Sequence, residues 1–169
     1  MRHITKIFAL FTLLFSLALL SACGFHLRGS VTEGVQLPPT YLTGTAGPLL
    51  QEVRYYLVVS KVPVVKNQKE AQLVIDLISE DVQRRVLSVG STGKVEEYEV
   101  SYAATYAVRR ADGKIIIAPE TLDQQRDYTF NESEVLAKDT EQARLVQDMR
   151  HAVVRQIMRR LEAELAKSP

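Results

Sequence analysis

The clearest pattern in the chain is an alternation across residues 95–109. Tyr98, Val100, Tyr102, Ala104, Tyr106 and Val108 fall on one side, and Glu97, Glu99, Ser101, Ala103, Thr105 and Ala107 on the other. Successive strand side chains point to opposite faces, so a period of two predicts one long, half-buried strand. Residues 71–89 before it are rich in Val, Leu and Ile, with Leu73, Ile75 and Leu77 on one side. Gly90-Ser91-Thr92-Gly93 separates the two segments with a turn signal. Ala111-Asp112-Gly113-Lys114 predicts a second hairpin, because Asp-Gly tolerates positive φ. Residues 115–130 form the last strand, irregular at Pro119, which cannot donate to a ladder. Strands of ~15 residues at ~3.3 Å each reach ~50 Å, which predicts a sheet whose tips project from the core.

Two other segments follow the helical period. Gly47-Pro48 opens the first, since proline suits the first turn, and Leu49, Leu50, Val53, Tyr56, Leu57 and Ser60 follow three and four apart. Residues 61–70, with Pro63, read as the break after it. Asp139-Thr140-Glu141-Gln142 starts the second helix, with Asp139 as cap and Gln142 returning the bond. Its apolar stripe is Val146, Met149, Val153, Ile157, Leu161 and Leu165. Pro38-Pro39 excludes a helix, and residues 40–43 suit a short first strand. The order β-α-β-β-β-α predicts an α+β two-layer sandwich. Its four-stranded, mostly antiparallel or mixed sheet carries both helices packed on one face. A first strand joined through a helix implies a parallel or mixed pair with a right-handed crossover.

The N-terminus has a different pattern. Arg2 and Lys6 precede an apolar run, residues 7–20, interrupted only by Thr12 and Ser16. Charge, apolar core and small residues in this order mark a cleavable secretory signal, and the run is too short to span a bilayer. Leu20-Ser21-Ala22-Cys23 ends it and resembles the lipobox of bacterial lipoproteins. That resemblance implies cleavage before Cys23 and a diacylglycerol on its sulfur. Gly24, rather than Asp, follows, which the lipoprotein sorting rule associates with the outer membrane. The expected organisation is a signal peptide over 1–22, a lipidated tether over 23–34 and a single periplasmic domain over 35–169.

Composition narrows the chemistry. Cys23 is the only cysteine, so no disulfide forms within the chain, and lipidation accounts for a lone thiol in an exported protein. The formal charge is +1, and losing Arg2 and Lys6 makes it −1, which argues against nucleic-acid binding. Three histidines, His3, His26 and His151, show no metal-ligand spacing. Ser88, Ser91 and Ser101 have no nearby histidine, and Gly90-Ser91-Thr92-Gly93-Lys94 lacks the spacing of a phosphate loop. Glu96, Glu97 and Glu99 read as a solvated strand face. No catalytic constellation, metal site or cofactor is therefore expected.

Two basic features remain. Arg84, Arg85 and Lys94 surround the first hairpin, with Arg109, Arg110 and Lys114 toward the other end. Lys138 precedes the second helix, whose free N–H groups also favour anions. Singly, each reads as solvated charge. Together, Lys138, Lys94 and Arg85 suit a phosphorylated lipid.

Two motifs carry a family likeness. Cys23-Gly24-Phe25-His26-Leu27-Arg28-Gly29 resembles the start of the LPS-assembly lipoprotein LptE (RlpB) family. Residues 136–142, Leu-Ala-Lys-Asp-Thr-Glu-Gln, are similar to the family's stretch before the last helix, and Glu97-Tyr98 sits where the family has a similar pair. The resemblance implies a non-enzymatic partner of the outer-membrane β-barrel LptD, which it plugs and helps assemble. It also implies lipopolysaccharide binding for insertion into the outer leaflet. The rivals are another periplasmic lipoprotein subunit of a lipid-transport or barrel-assembly system and, less well supported, a lipid-anchored hydrolase.

Overall fold

A computed structural model of the chain describes residues 37–45, 47–131 and 135–167, all within one unit, Gly34–Pro169. Strand β1 (Thr40–Gly44) leads through helix α1 (Pro48–Val59) to β2 (Val64–Val65) and a 3-10 turn, Gln68–Glu70. Then come β3 (Leu73–Val89), β4 (Val95–Arg110), β5 (Ile115–Thr129) and helix α2 (Val135–Lys167). The sheet order is β2-β1-β3-β4-β5. β1 runs parallel to β2 and β3, and β3, β4 and β5 form an antiparallel meander.

The sheet thus has five strands rather than the four expected. β2 falls inside the stretch read as a break, and two residues are too few to show a period. α2 also starts earlier than expected. Leu136, Ala137 and Lys138 are good helix formers, so the helix extends back to Val135 and Asp139 lies inside it instead of capping it.

Both helices cover the same face of the sheet. Leu49, Val53 and Leu57 of α1 share one buried cluster with Met149, Val153, Ile157 and Leu161 of α2. Leu73, Ile75, Leu77, Val100, Tyr102, Ala104 and Tyr106 meet them from the sheet. The opposite, outer face of β4 holds Ser101, Ala103, Thr105 and Ala107, none of them fully buried.

One extra residue determines what the rest of β3 does. Register with β4 shifts between Leu77 and Ser79, leaving Ile78 as a bulge. A bulge moves every later side chain to the other face. Odd-numbered residues face the helices before it. Beyond it Glu80, Val82, Arg84 and Val86 stand opposite the inward residues Ala104, Tyr102, Val100 and Tyr98. Gly44, with φ +117°, ends β1 beside this point, where a Cβ would collide with the Leu77 carbonyl. A second shift, between Tyr106 and Val108, absorbs an extra β5 residue beside Pro119, as the proline predicts.

The bulge delivers Glu80 to the helix side. Its Oε1 accepts from Tyr102 Oη at 2.9 Å and from Arg150 Nε at 2.8 Å. Its Oε2 accepts from the Leu49 backbone N–H at 3.0 Å. Gly47, the N-cap of α1, has no capping side chain, so the sheet supplies the carboxylate that a helix N-terminus favours. The Glu80 and Arg150 side chains are each 15% exposed. Burial first, then the Glu80 charge, pushes the Tyr102 hydroxyl well above the usual tyrosine range. Tyr106, two residues on, is also buried, but among the described residues its hydroxyl has no hydrogen-bond partner. Burial and the charge of Glu120 push its pKa up to about 12.

Glu80→Ala removes three bonds and leaves Arg150 without its carboxylate, so it should lower unfolding free energy by about 2–4 kcal/mol in urea denaturation. An exposed-site control, Asp123→Ala, should stay within about 0.5 kcal/mol. The two tyrosines should part company. Tyr102→Phe should cost about 1–2 kcal/mol, whereas Tyr106→Phe, which deletes an unsatisfied hydroxyl, should be neutral or stabilising.

Candidate functional site

Cys23 lies outside the described residues. The other three expected residues are described, and the fold sets them toward one end of the sheet but on different elements and faces. Lys94 closes the turn between β3 and β4, where Gly90 N–H donates to its carbonyl at 2.8 Å. Lys138 is in the first turns of α2, and its Nζ lies 2.8 Å from Glu141 Oε2. Its side chain is only 15% exposed. A cation near a helix N-terminus opposes the helix dipole, and Glu141 one turn later offsets this. Both lysines sit at the hairpin end of the sheet. The ladder runs from Val86 through Tyr98 to Tyr128, and the Tyr128 hydroxyl donates to Gln142 Oε1 at 2.9 Å, one turn along from Lys138.

Arg85 is at the same end but on the outer face. Its Nε and Nη2 donate to the two oxygens of Glu99 at 2.6 and 3.0 Å. The guanidinium at the helix end is instead Arg84. Its Nη1 donates to Gln142 Oε1 at 3.0 Å, and its Cζ sits 4.5 Å from the centre of the Tyr98 ring. Tyr98 stacks on Tyr128 at 5.8 Å and meets Phe130 edge-on at 5.1 Å. The Tyr128 hydroxyl first, and more weakly the nearby Asp139 carboxylate, push the Arg84 pKa upward against desolvation. Lys138, Arg84 and an aromatic platform therefore border one end of the sheet, a set able to hold an anionic group beside an apolar one. Sequence reading missed the choice between Arg84 and Arg85 because the bulge at Ile78 exchanges their faces, and a bulge leaves no periodic signal.

The one histidine among the described residues is engaged in structure. His151 Nε2 lies 3.2 Å from Glu52 Oε1, linking α2 to α1. Among the described residues, no three His, Cys, Asp or Glu side chains gather to hold a metal, and no helix is long and apolar enough to cross a membrane.

Arg85 holds the Glu99 carboxyl below its ordinary range, chiefly by hydrogen bonding and then by charge. A carboxyl depressed in the folded state stabilises the fold above its unfolded pKa, and this stabilisation is lost as pH falls through the folded value. NMR titration should place the Glu99 transition below that of an exposed glutamate. In Arg85→Gln it should move upward, and the corresponding acid-side loss of stability should shrink.

The comparisons with known proteins agree with one another. A family model described as LptE, lipopolysaccharide-assembly, matches residues 32–161. The LPS-assembly lipoprotein LptE of Photorhabdus laumondii is 31% identical over 165 residues, 95% of this chain and 87% of that protein. The protein of the same name from Pectobacterium atrosepticum is 32% identical over 166 residues, 95% and 86% of the two chains. An uncharacterized lipoprotein B from Nitrosomonas europaea, solved by NMR, superposes with a TM-score of 0.71 at 26% identity, covering 85% of this chain and 93% of that one. The crystal structure of the rare lipoprotein B from Shewanella oneidensis gives 0.61 at 28% identity, covering 77% and 95%. The family match spans every strand, α1 and α2 as far as its last fully buried residue, Leu161, and the chain belongs to the LptE family of lipopolysaccharide-assembly lipoproteins.

Proposed function

We propose that this chain is a lipid-anchored outer-membrane protein that plugs and helps assemble an LptD-type β-barrel. In this reading it also binds lipopolysaccharide on its way to the outer leaflet. The family match over residues 32–161 carries the proposal. Three features support it. Cys23 ends a lipobox-like segment, which supplies the anchor. The helices cover only one sheet face, and the other presents small and polar residues such as Gln83, Ser101, Thr105 and Thr121, suited to the water-filled lumen of a large barrel. Lys94 and Lys138 share the hairpin end of the sheet, beside the Tyr98 platform.

The mechanism is binding rather than bond chemistry. Lys138, Lys94 and Arg85 engage the anionic groups of lipopolysaccharide through charge-assisted hydrogen bonds and loosen its aggregates. Glu141 holds the Lys138 ammonium in an ion pair until a phosphate competes for it. Arg85 reaches ligand only by sharing or exchanging Glu99, so it contributes less than the two lysines.

Lys138→Glu and Lys94→Glu should each weaken binding to purified lipopolysaccharide by roughly five- to tenfold with an unchanged circular dichroism spectrum. Arg85→Glu should weaken it less. Unchanged binding in both lysine variants removes the site. Tagged, lipidated protein pulled from detergent-solubilised outer membrane should bring down a stoichiometric LptD-type barrel that survives high salt. Recovery of the chain alone, or with an inner-membrane transporter, points to a different lipid-transport or barrel-assembly subunit.

A further inference from the structure

Past the bulge, β3 keeps only one of its two neighbours among the described residues. β1 pairs with it only as far as Leu77. Thr45 extends that contact, its N–H donating to Leu77 O at 2.9 Å and its Oγ1 to Ile78 O at 3.0 Å. Among the described residues, β3 pairs with β4 alone from Ser79 onward. Pairing is then uninterrupted through Val86, where the next register shift begins. A free edge exposes the backbone N–H and C=O groups of alternate residues. Val82 and Val86, on this stretch, are 40% and 48% exposed.

We propose that this edge pairs antiparallel with the same edge of a second copy of the chain, about a two-fold axis at Gln83. Two independent features meet there. The first is space. Thr45 occupies the edge as far as Ile78, and the next register shift follows Val86, so residues 79–86 are the stretch open to a neighbour. Val82 and Gln83 are its two central residues, and charge on the outer face decides between them. The second is charge. A two-fold axis normal to the sheet keeps the faces aligned, so opposed residues share a face. Centring on Gln83 sets Asp81 against Arg85 of the second copy twice over, all on the outer face. Val82 then opposes Arg84, and Glu80 opposes Val86.

The neighbouring registers fail. Centring on Arg84 sets that arginine against itself. Centring on Val82 runs Val86 into Ile78, whose carbonyl Thr45 already binds. Gln83 Nε2 donates to Asp81 Oδ2 at 2.7 Å, holding the acid beside the axis. Arg85 uses Nε and Nη2 on Glu99, which leaves its Nη1 donors for a second carboxylate. Charge on an edge strand normally blocks pairing. Here the order Asp81-Val82-Gln83-Arg84-Arg85 makes the same charges complementary to their own copy run in reverse.

The proposal does not depend on the barrel partner and can be tested without it. Opposed Cα atoms in an antiparallel pair lie ~4.5–5.5 Å apart, within disulfide range. Mature lipidated chain carrying Gln83→Cys, in mild detergent with an oxidant, should form a disulfide-linked dimer. Ser101→Cys, on the same face but inside the sheet, should form it at least tenfold more slowly, and the parent chain, whose one cysteine carries the lipid in this reading, should form none. In the Gln83→Cys background, Asp81→Arg and Arg85→Asp should each slow cross-linking severalfold, since each sets like charges together. Arg85→Gln, which does not repel Glu99, should slow it too. Mixing differently tagged Asp81→Arg and Arg85→Asp chains restores opposite charges at both positions and should recover the cross-link as a heterodimer. Gln83→Cys reacting no faster than Ser101→Cys, indifference to Asp81→Arg or Arg85→Gln, or a mixture of folded variants that fails to recover would overturn the pairing.

Discussion

Glu80 is the side chain through which β3, β4 and both helices meet. One carboxylate closes the N-terminus of α1, receives Arg150 from α2 and anchors the Tyr102 hydroxyl at the middle of β4. A largely buried carboxylate is tolerable only when its oxygens are satisfied, and here three donors from three elements satisfy them. The arrangement depends on Ile78. Without the bulge the inward positions would fall to Ser79 and Asp81, the α1 N-terminus would lack its carboxylate, and Arg150 would lie over the core unpaired. The glycine at position 44 belongs to the same device, because it lets β1 end hard against the Leu77 carbonyl where the bulge begins.

Much of the fold was legible because long elements repeat their pattern many times. The alternation of β4 from Tyr98 to Val108 names the inward face residue by residue, and each of those positions from Val100 on is fully buried. The stripe from Met149 to Leu161 does the same for α2. Features that occur once leave no repeat to read. β2 is two residues long. The start of α2 turns on helix propensity in residues 135–138, where Asp139 offers a competing cap signal that the longer helix overrides. The bulge inverts the pattern of β3 in mid-strand, and either parity of that strand taken alone looks equally reasonable.

For the residues of the proposed site, what was legible is position along the chain rather than face. Lys138 and Lys94 are placed by chain order, one at the start of a helix and one in a turn, so the end of the sheet they occupy follows from the topology. Arg84 and Arg85 are adjacent in sequence, and only the bulge decides which one joins the helix side. Arg84 joins it, over Tyr98 and against Gln142, while Arg85 turns outward to Glu99. The Tyr98–Tyr128–Phe130 cluster is a product of β4–β5 register, which composition and spacing do not reveal.

The two ends of the sheet are held by different means. Near α1, aliphatic side chains from both layers interlock, and the charged group among them is fully bonded. Toward the hairpin, β3 is largely exposed from Ile78 on, so burial contributes little there. What holds that end is the contact of α2 with it: the Gln142 oxygen accepting from Arg84 and Tyr128, and the aromatic cluster beneath. Segments with few buried contacts open at lower free energy than the core. The cationic end and the free edge of β3 therefore share the part of the fold that adjusts most easily to a partner, while Glu80, four residues before Arg84, isolates the core from that adjustment by tying both helices to the sheet.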